Sequence, residues 1–214
     1  MIKNIFFDFD GVIAESVSVK TEAFHKMYLP FGQDIADKVV DHHRNNGGGS
    51  RFEKFKHYHK KFLGQQITEN KVEELSAKFS DLVVEGVVSA PDVPGSTEFI
   101  KRNSLNFKFW IITGTPTNEM VEILKKRGIL NYFIEICGSP TNKSFWTDYL
   151  IDKYQLNRQE IIFLGDAKSD YNAAMQSNIQ FALREYSQNE SLFNDYDGLK
   201  FSDFNDLEKK LTYI

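Results

Sequence analysis

Ile5-Phe6-Phe7-Asp8-Phe9-Asp10-Gly11 is the stretch that decides how this chain folds. The run from Ile2 to Phe7 is apolar with little polar alternation, the pattern of a strand buried on both faces of a parallel sheet. It ends in two carboxylates one residue apart, and Gly11 permits the sharp change of direction that a strand exit needs. Open parallel sheets bind ligands beyond the carboxyl ends of their strands, where Asp8 and Asp10 fall. Two acids held so close repel unless a cation or a shared proton relieves them, so the first expectation is a metal-assisted carboxylate site.

Working outward from that strand, the chain has two textures. From about Glu15 to Glu85 it is helical and polar. Phe24, Met27, Tyr28 and Phe31 mark one apolar face, and Phe52, Phe55, Tyr58 and Phe62 another, at spacings of three and four. Thr68 to Val84 reads as a further helix with its cap at Thr68. From about Val87 strands alternate with helices, the mark of βαβ units around a parallel sheet. Strands are expected at Phe107–Thr113, Phe133–Cys137, Ile161–Leu164 and Ile179–Leu183. Helices are expected at Asn118–Arg127, Ser144–Tyr154 and Asp170–Ser177. The fold class is therefore α/β, a doubly wound, Rossmann-like core with an inserted helical cap. The expected boundaries are residues 1–14 and 88–214 for the core and 15–87 for the cap. Ser89-Ala90-Pro91-Asp92-Val93-Pro94-Gly95, with two prolines and a glycine, is one crossing between them. The other lies near Ala14 to Val19, and two adjacent crossings permit hinge motion.

A chain of 214 residues can bury a substantial core. Its net charge of −4 gives no global basic field for nucleic acid, so an anionic substrate must find positive charge locally. The single cysteine, Cys137, excludes an internal disulfide framework and, set in an apolar strand, reads as a buried structural thiol. No apolar run approaches the ~20 residues of a membrane span, and no signal-peptide pattern opens the chain. A cytoplasmic protein with no membrane partner is the expectation.

Three further polar clusters fall at strand ends or helix starts. Thr113-Gly114-Thr115 offers hydroxyls and a glycine amide to an anion, helped by the following helix start. Lys143 opens a helix and offers a point charge for phosphate. Gly165-Asp166-Ala167-Lys168-Ser169-Asp170 places two carboxylates four residues apart, hard oxygen donors suited to Mg2+. Taken singly, each has a plain reading as a turn, a solvated lysine or a helix cap. In this order they resemble the haloacid dehalogenase superfamily over nearly the whole chain, with Asp8-x-Asp10, Thr113, Lys143 and Gly165-Asp166-x-x-x-Asp170 as its four motifs. The helical insertion resembles the cap of the phosphoglycolate phosphatase and β-phosphoglucomutase branch.

That resemblance implies a phosphatase acting on a small-molecule phosphate ester. It makes Asp8 the nucleophile that becomes an aspartyl-phosphate, and Asp10 the general acid and base. It places Mg2+ on Asp8, the Asp10 backbone carbonyl and Asp166, with Asp170 as ligand or support. Thr113, the Gly114 amide and Lys143 bind the phosphoryl oxygens. Gly48-Gly49-Ser50-Arg51 resembles the cap loop that presents an arginine to a substrate's distal group, so Arg51 is expected to bind a phosphate, a carboxylate or a sugar hydroxyl. All five histidines (His25, His42, His43, His57 and His59) lie in the cap and read mostly as surface residues, with His42 and His43 as candidates for specificity. Three other readings compete. The mutase pattern has a histidine in the first cap helix where this chain has Lys20. A dehalogenase needs neither Asp10 nor a metal site. A phosphorylatable regulatory module needs no large cap.

Overall fold

The computed structural model describes residues 1–211. The strand at the amino end is β1 (Asn4–Phe7), and four helices follow it: α1 (Val17–Tyr28), α2 (Gln33–Asn45), α3 (Arg51–Phe62) and α4 (Glu69–Ser89). Then come α5 (Ser96–Asn103), β2 (Lys108–Pro116), α6 (Thr117–Lys126), β3 (Phe133–Ser139), α7 (Lys143–Lys153), β4 (Ile161–Gly165), α8 (Lys168–Gln176), β5 (Gln180–Arg184), β6 (Leu199–Phe201) and α9 (Phe204–Leu211). The six strands form one sheet in the order β3-β2-β1-β4-β5-β6, parallel at every pairing. Strand order reverses at β1, so a crevice opens at the carboxyl ends of β1 and β4. Asp8 and Asp10 follow the first of these strands, and Asp166 follows the second.

β1 is buried along its whole length, and its side chains divide between the two faces. Ile5 and Phe7 join Phe109, Ile111 and Leu164 on one side, while Phe6 joins Trp110, Ile112 and Phe163 on the other. Phe6 meets Trp110 edge to face at 5.4 Å, and Phe7 meets Phe109 likewise at 5.3 Å. Such aromatic pairs add specificity to the area they bury. The helices between β1 and α5 carry their own aromatic centre, where Phe24, Phe55, Tyr58 and Phe79 pack ring against ring.

The helix expected to end at Val84 runs five residues further, to Ser89. Arg127 explains the extension. Its guanidinium donates to the carbonyls of Val87, Val88 and Ala90 and pairs with Asp92. The carbonyls that a helix end leaves without partners are thus satisfied from the core. The two chain crossings lie side by side: Glu15 donates to the Pro91 carbonyl, and Val93 donates to that of Ile13, both at 2.9 Å. Cys137 is buried in β3, and burial pushes its thiol up to about 12, an inert state. No helix among the described residues is long and apolar enough to cross a membrane.

Candidate active site

Asp8 leaves β1 fully inside the protein. One carboxylate oxygen accepts the Phe9 N–H at 2.7 Å, and the other lies 2.9 Å from the Lys143 ammonium. Lys143 stands at the first turn of α7, and it also donates to Asp170 at 2.6 Å. Asp170 returns its second oxygen to the Ala167 N–H. Carboxylate oxygens of Asp8, Asp166 and Asp170 lie within 4.8 Å of one another, all buried. Tyr186 donates to Asp166 at 2.7 Å, and Asn189 holds the Asp166 carbonyl. Burial pushes the Asp8 carboxyl up to about 7, with Asp170 and Asp10 adding to the rise and Lys143 opposing it. Burial, Asp8 and Asp170 lift Asp166 well above its ordinary value. For Lys143 burial works the other way, yet Asp170 and Asp8 outweigh it and raise the ammonium. Three buried carboxylates with one ammonium among them are short of positive charge.

The Asp10 side chain turns away from that cluster. Lys20 of α1 pairs with it and also donates to Thr115 at 2.6 Å, while Ser16 donates to Asp10 at 2.6 Å. Burial would raise Asp10, but Lys20, with Ser16 and Lys143, more than offsets it and holds the carboxyl below its ordinary value. Two carboxylates on one strand end are therefore driven in opposite directions, an arrangement that separates acid, base and nucleophile roles. Thr113, also buried, accepts the Thr115 N–H, and Gly114 lines the cavity over both acids.

The cap closes the far side of this cavity. Its wall includes Lys20, Phe24, His43, Lys54 and Phe79, and its roof is the loop at Gly47, Gly48 and Gly49. That loop sits directly on the core. Ser169 donates to the Gly47 carbonyl at 3.3 Å, and a Cβ on Gly114 would stand 2.5 Å from the Gly48 carbonyl oxygen. Gly114 leaves room for that carbonyl, and Gly48 itself has φ +68° with Ser169 where a Cβ would stand.

Arg51 was expected to reach substrate, and the structure engages it within the protein. It lines the cavity, but its guanidinium is not free: it forms two hydrogen bonds to Glu119 of α6, at 2.8 and 2.6 Å, and stacks over Phe79. Ser80 accepts a further N–H at 2.8 Å. The histidines are corrected, since His43 and His59 are buried and only His43 lines the cavity. Sequence reading missed Tyr186, Glu119 and Lys54, and it registered Lys20 only as a departure from the mutase pattern. No motif marks these residues, because their partners lie on other elements.

Comparison with known proteins agrees with this geometry. Residues 5–183 match the haloacid dehalogenase-like hydrolase family. The phosphoglycolate phosphatase of Vibrio parahaemolyticus is 25% identical over 189 residues, covering 81% of this chain and 79% of that protein. The phosphoglycolate phosphatase of Mannheimia succiniciproducens is 24% identical over 219 residues and covers 97% of each chain. The crystal structure of β-phosphoglucomutase from Clostridium difficile shares the fold, with a TM-score of 0.77 and 21% identity, covering 100% of this chain and 96% of that one. With its four motifs gathered at one crevice and the match running through nearly the whole core, this chain belongs to the haloacid dehalogenase-like hydrolases.

Proposed function

We propose that this enzyme is a Mg2+-dependent phosphatase that hydrolyses a small phosphorylated metabolite, a sugar phosphate or a phosphoglycolate-like acid, through an aspartyl-phosphate on Asp8. The observation that carries the reading is the contrast at the end of β1. Asp8 sits in a carboxylate cluster short of positive charge, while Asp10 is held ionised by Lys20. Names of relatives at 23–26% identity lend support on the substrate side.

The donor set suits Mg2+, since it offers hard carboxylate oxygens and carries a charge deficit that a divalent cation corrects. Asp8 and Asp166, with the Asp10 carbonyl, would hold the ion, and Asp170 would ligate it or orient Lys143. When bound it supplies charge neutralisation for the phosphoryl oxygens. The remaining work falls to the chain itself. Thr113, the Gly114 amide and Lys143 bind the phosphoryl group, and an Asp8 oxygen bonds to phosphorus as the ester oxygen leaves. Asp10 protonates that oxygen. It is ionised in the free enzyme, but an arriving phosphate dianion raises its affinity for a proton. With the alcohol gone, the Asp10 carboxylate takes a proton from water as that water attacks the aspartyl-phosphate, returning Asp8 and inorganic phosphate.

In this reading residues 1–14 and 88–214 form the catalytic core, and residues 15–87 the cap that shields it and selects the substrate. Arg51 contributes to selection indirectly, by fixing the first turn of α3 through Glu119. A mutase that handles a second phosphoryl group is less well served, because the buried guanidinium fork on this wall of the cap, that of Arg51, is already held by Glu119. The setting is cytoplasmic and the partner a small-molecule phosphate ester.

The test is turnover by the purified chain on a panel of sugar phosphates, phosphoglycolate and nucleotides. Activity should require Mg2+, stop with chelator and return when Mg2+ is restored. Asp8→Asn should abolish turnover of every ester. Near-wild-type rates in that variant, with deamidation excluded by mass, would end the covalent mechanism.

A further inference from the structure

Lys54 is 6% exposed, faces the cavity from α3 and, among the described residues, forms no ion pair. The other cations withdrawn from solvent around the same space are matched, Lys20 to Asp10, Lys143 to Asp8 and Asp170, and Arg51 to Glu119, while Arg44 and Lys168 line it from exposed positions where water solvates their charge. The polar neighbour of Lys54 is His43 Nδ1, at 2.9 Å, and its ammonium lies 5.8 Å from the centre of the Phe24 ring. His43, on α2, is held far below its ordinary value by burial and then by Lys54, Lys20, His42 and Arg44. It is neutral, so its Nδ1 accepts a hydrogen bond from Lys54 and supplies no charge. Burial, with repulsion from Lys20 and Lys143, brings Lys54 itself down to about 7 against the weaker pull of Asp10. A buried cation in this position lacks its counter-ion.

The size and lining of the space say what could supply that charge. About 90 Å³ is free, where one water takes roughly 10–15 Å³, so the occupant beyond the phosphoryl group is only a few atoms long. One buried, unpaired ammonium matches one negative charge. Phe24 and Phe79 offer nothing further to a dianion, and the Arg51 fork is closed.

We propose that Lys54, steadied by His43, is the specificity residue that binds a carboxylate on the substrate, so that the preferred ester is a short phosphorylated carboxylic acid. This rests on the phosphatase reading and narrows its substrate from the two classes left open there. Lys54 can offer two N–H groups to the carboxylate while the third remains on His43 Nδ1.

The experiment compares 2-phosphoglycolate with ethyl phosphate, which has a methyl group in place of the carboxylate, using the full chain with Mg2+. Lys54→Gln keeps a donor for His43 and removes the charge, while Lys54→Arg keeps the charge. The wild type should favour the acid. The ratio of kcat/KM for acid over ethyl phosphate should fall roughly ten- to hundredfold in Lys54→Gln, the worth of one charge-assisted hydrogen bond, mainly through KM, and recover in part in Lys54→Arg. That ratio should also decline in the wild type as pH rises through about 7, where free Lys54 loses its proton. An unchanged ratio in Lys54→Gln, whether both substrates suffer equally or neither does, would overturn the proposal. Turnover of p-nitrophenyl phosphate by the wild type separates the two failures: if it is absent, the phosphatase reading itself fails, and the Lys54 proposal with it.

Discussion

At Asp10 burial would lift the carboxyl, and the Lys20 ammonium is the chief group that, with Ser16 and Lys143, holds it down instead. Removing that cation while leaving the burial should therefore raise the carboxyl, since an opposite charge nearby shifts such a group by about 1–3 pKa units. Lys20→Met is expected to move the acid limb of the kcat–pH profile upward by at least about one pH unit, because the ionised base is needed to take a proton from water. An acid limb that stays in place would show that Lys20 does not set the charge of Asp10. The sequence told much at this scale, but only where a residue's role follows from its place on a strand end. Asp8, Lys143, Asp166 and Asp170 lie together at strand ends or a helix start, and Thr115 bonds to both Asp10 and Thr113 beside them. Lys20 and Lys54 acquire meaning only from residues on other elements, which periodicity cannot reveal.

Among the elements, the long apolar strands and the amphipathic helices were legible because their patterns repeat. Short or capped pieces were not. α5, β6 and α9 are three to eight residues long and carry too little pattern to register, and the last turn of α4 depends on Arg127, which caps the end of α6. The triple-glycine loop was legible in sequence only as a loop leading to Arg51, yet it is seated on β2 with its Gly48 carbonyl against Gly114. That contact yields a prediction. Gly114→Ala keeps the amide proposed to bind the phosphoryl group, but its Cβ would meet backbone at 2.5 and 3.0 Å, and backbone cannot swing aside as a side chain can. The loop must lift and misplace the cavity wall, and a displacement of about 1 Å can cost on the order of 10²-fold in rate. We expect kcat/KM to fall at least tenfold or so with the far-ultraviolet spectrum and cooperative melting retained. Wild-type kinetics in Gly114→Ala would mean that the loop does not need its seat.

Across the whole molecule, the sequence separated an inserted helical block from an α/β core but gave no sign of what joins them beyond the two crossings. Among the ties that the fold brings about is a buried ion pair. Arg51 of α3 and Glu119 of α6 are 4% and 7% exposed at their side chains, and Ser80 of α4 donates to the same carboxylate. Taking both charges out of water is costly, and their attraction returns that cost only while both are present. Removing one partner strands the other. Glu119→Ala should therefore lower the free energy of unfolding by roughly 3–5 kcal/mol, measured by urea denaturation. Replacing both residues by apolar groups of similar size, as in Arg51→Met with Glu119→Leu, should recover most of that loss, because no charge is left buried and Phe79 gains an apolar neighbour. The two changes would then be strongly non-additive, as expected for residues in direct contact. Additive losses, or a single-variant cost below about 1 kcal/mol, the range of an exposed pair, would show that cap and core are not tied through Arg51 and Glu119.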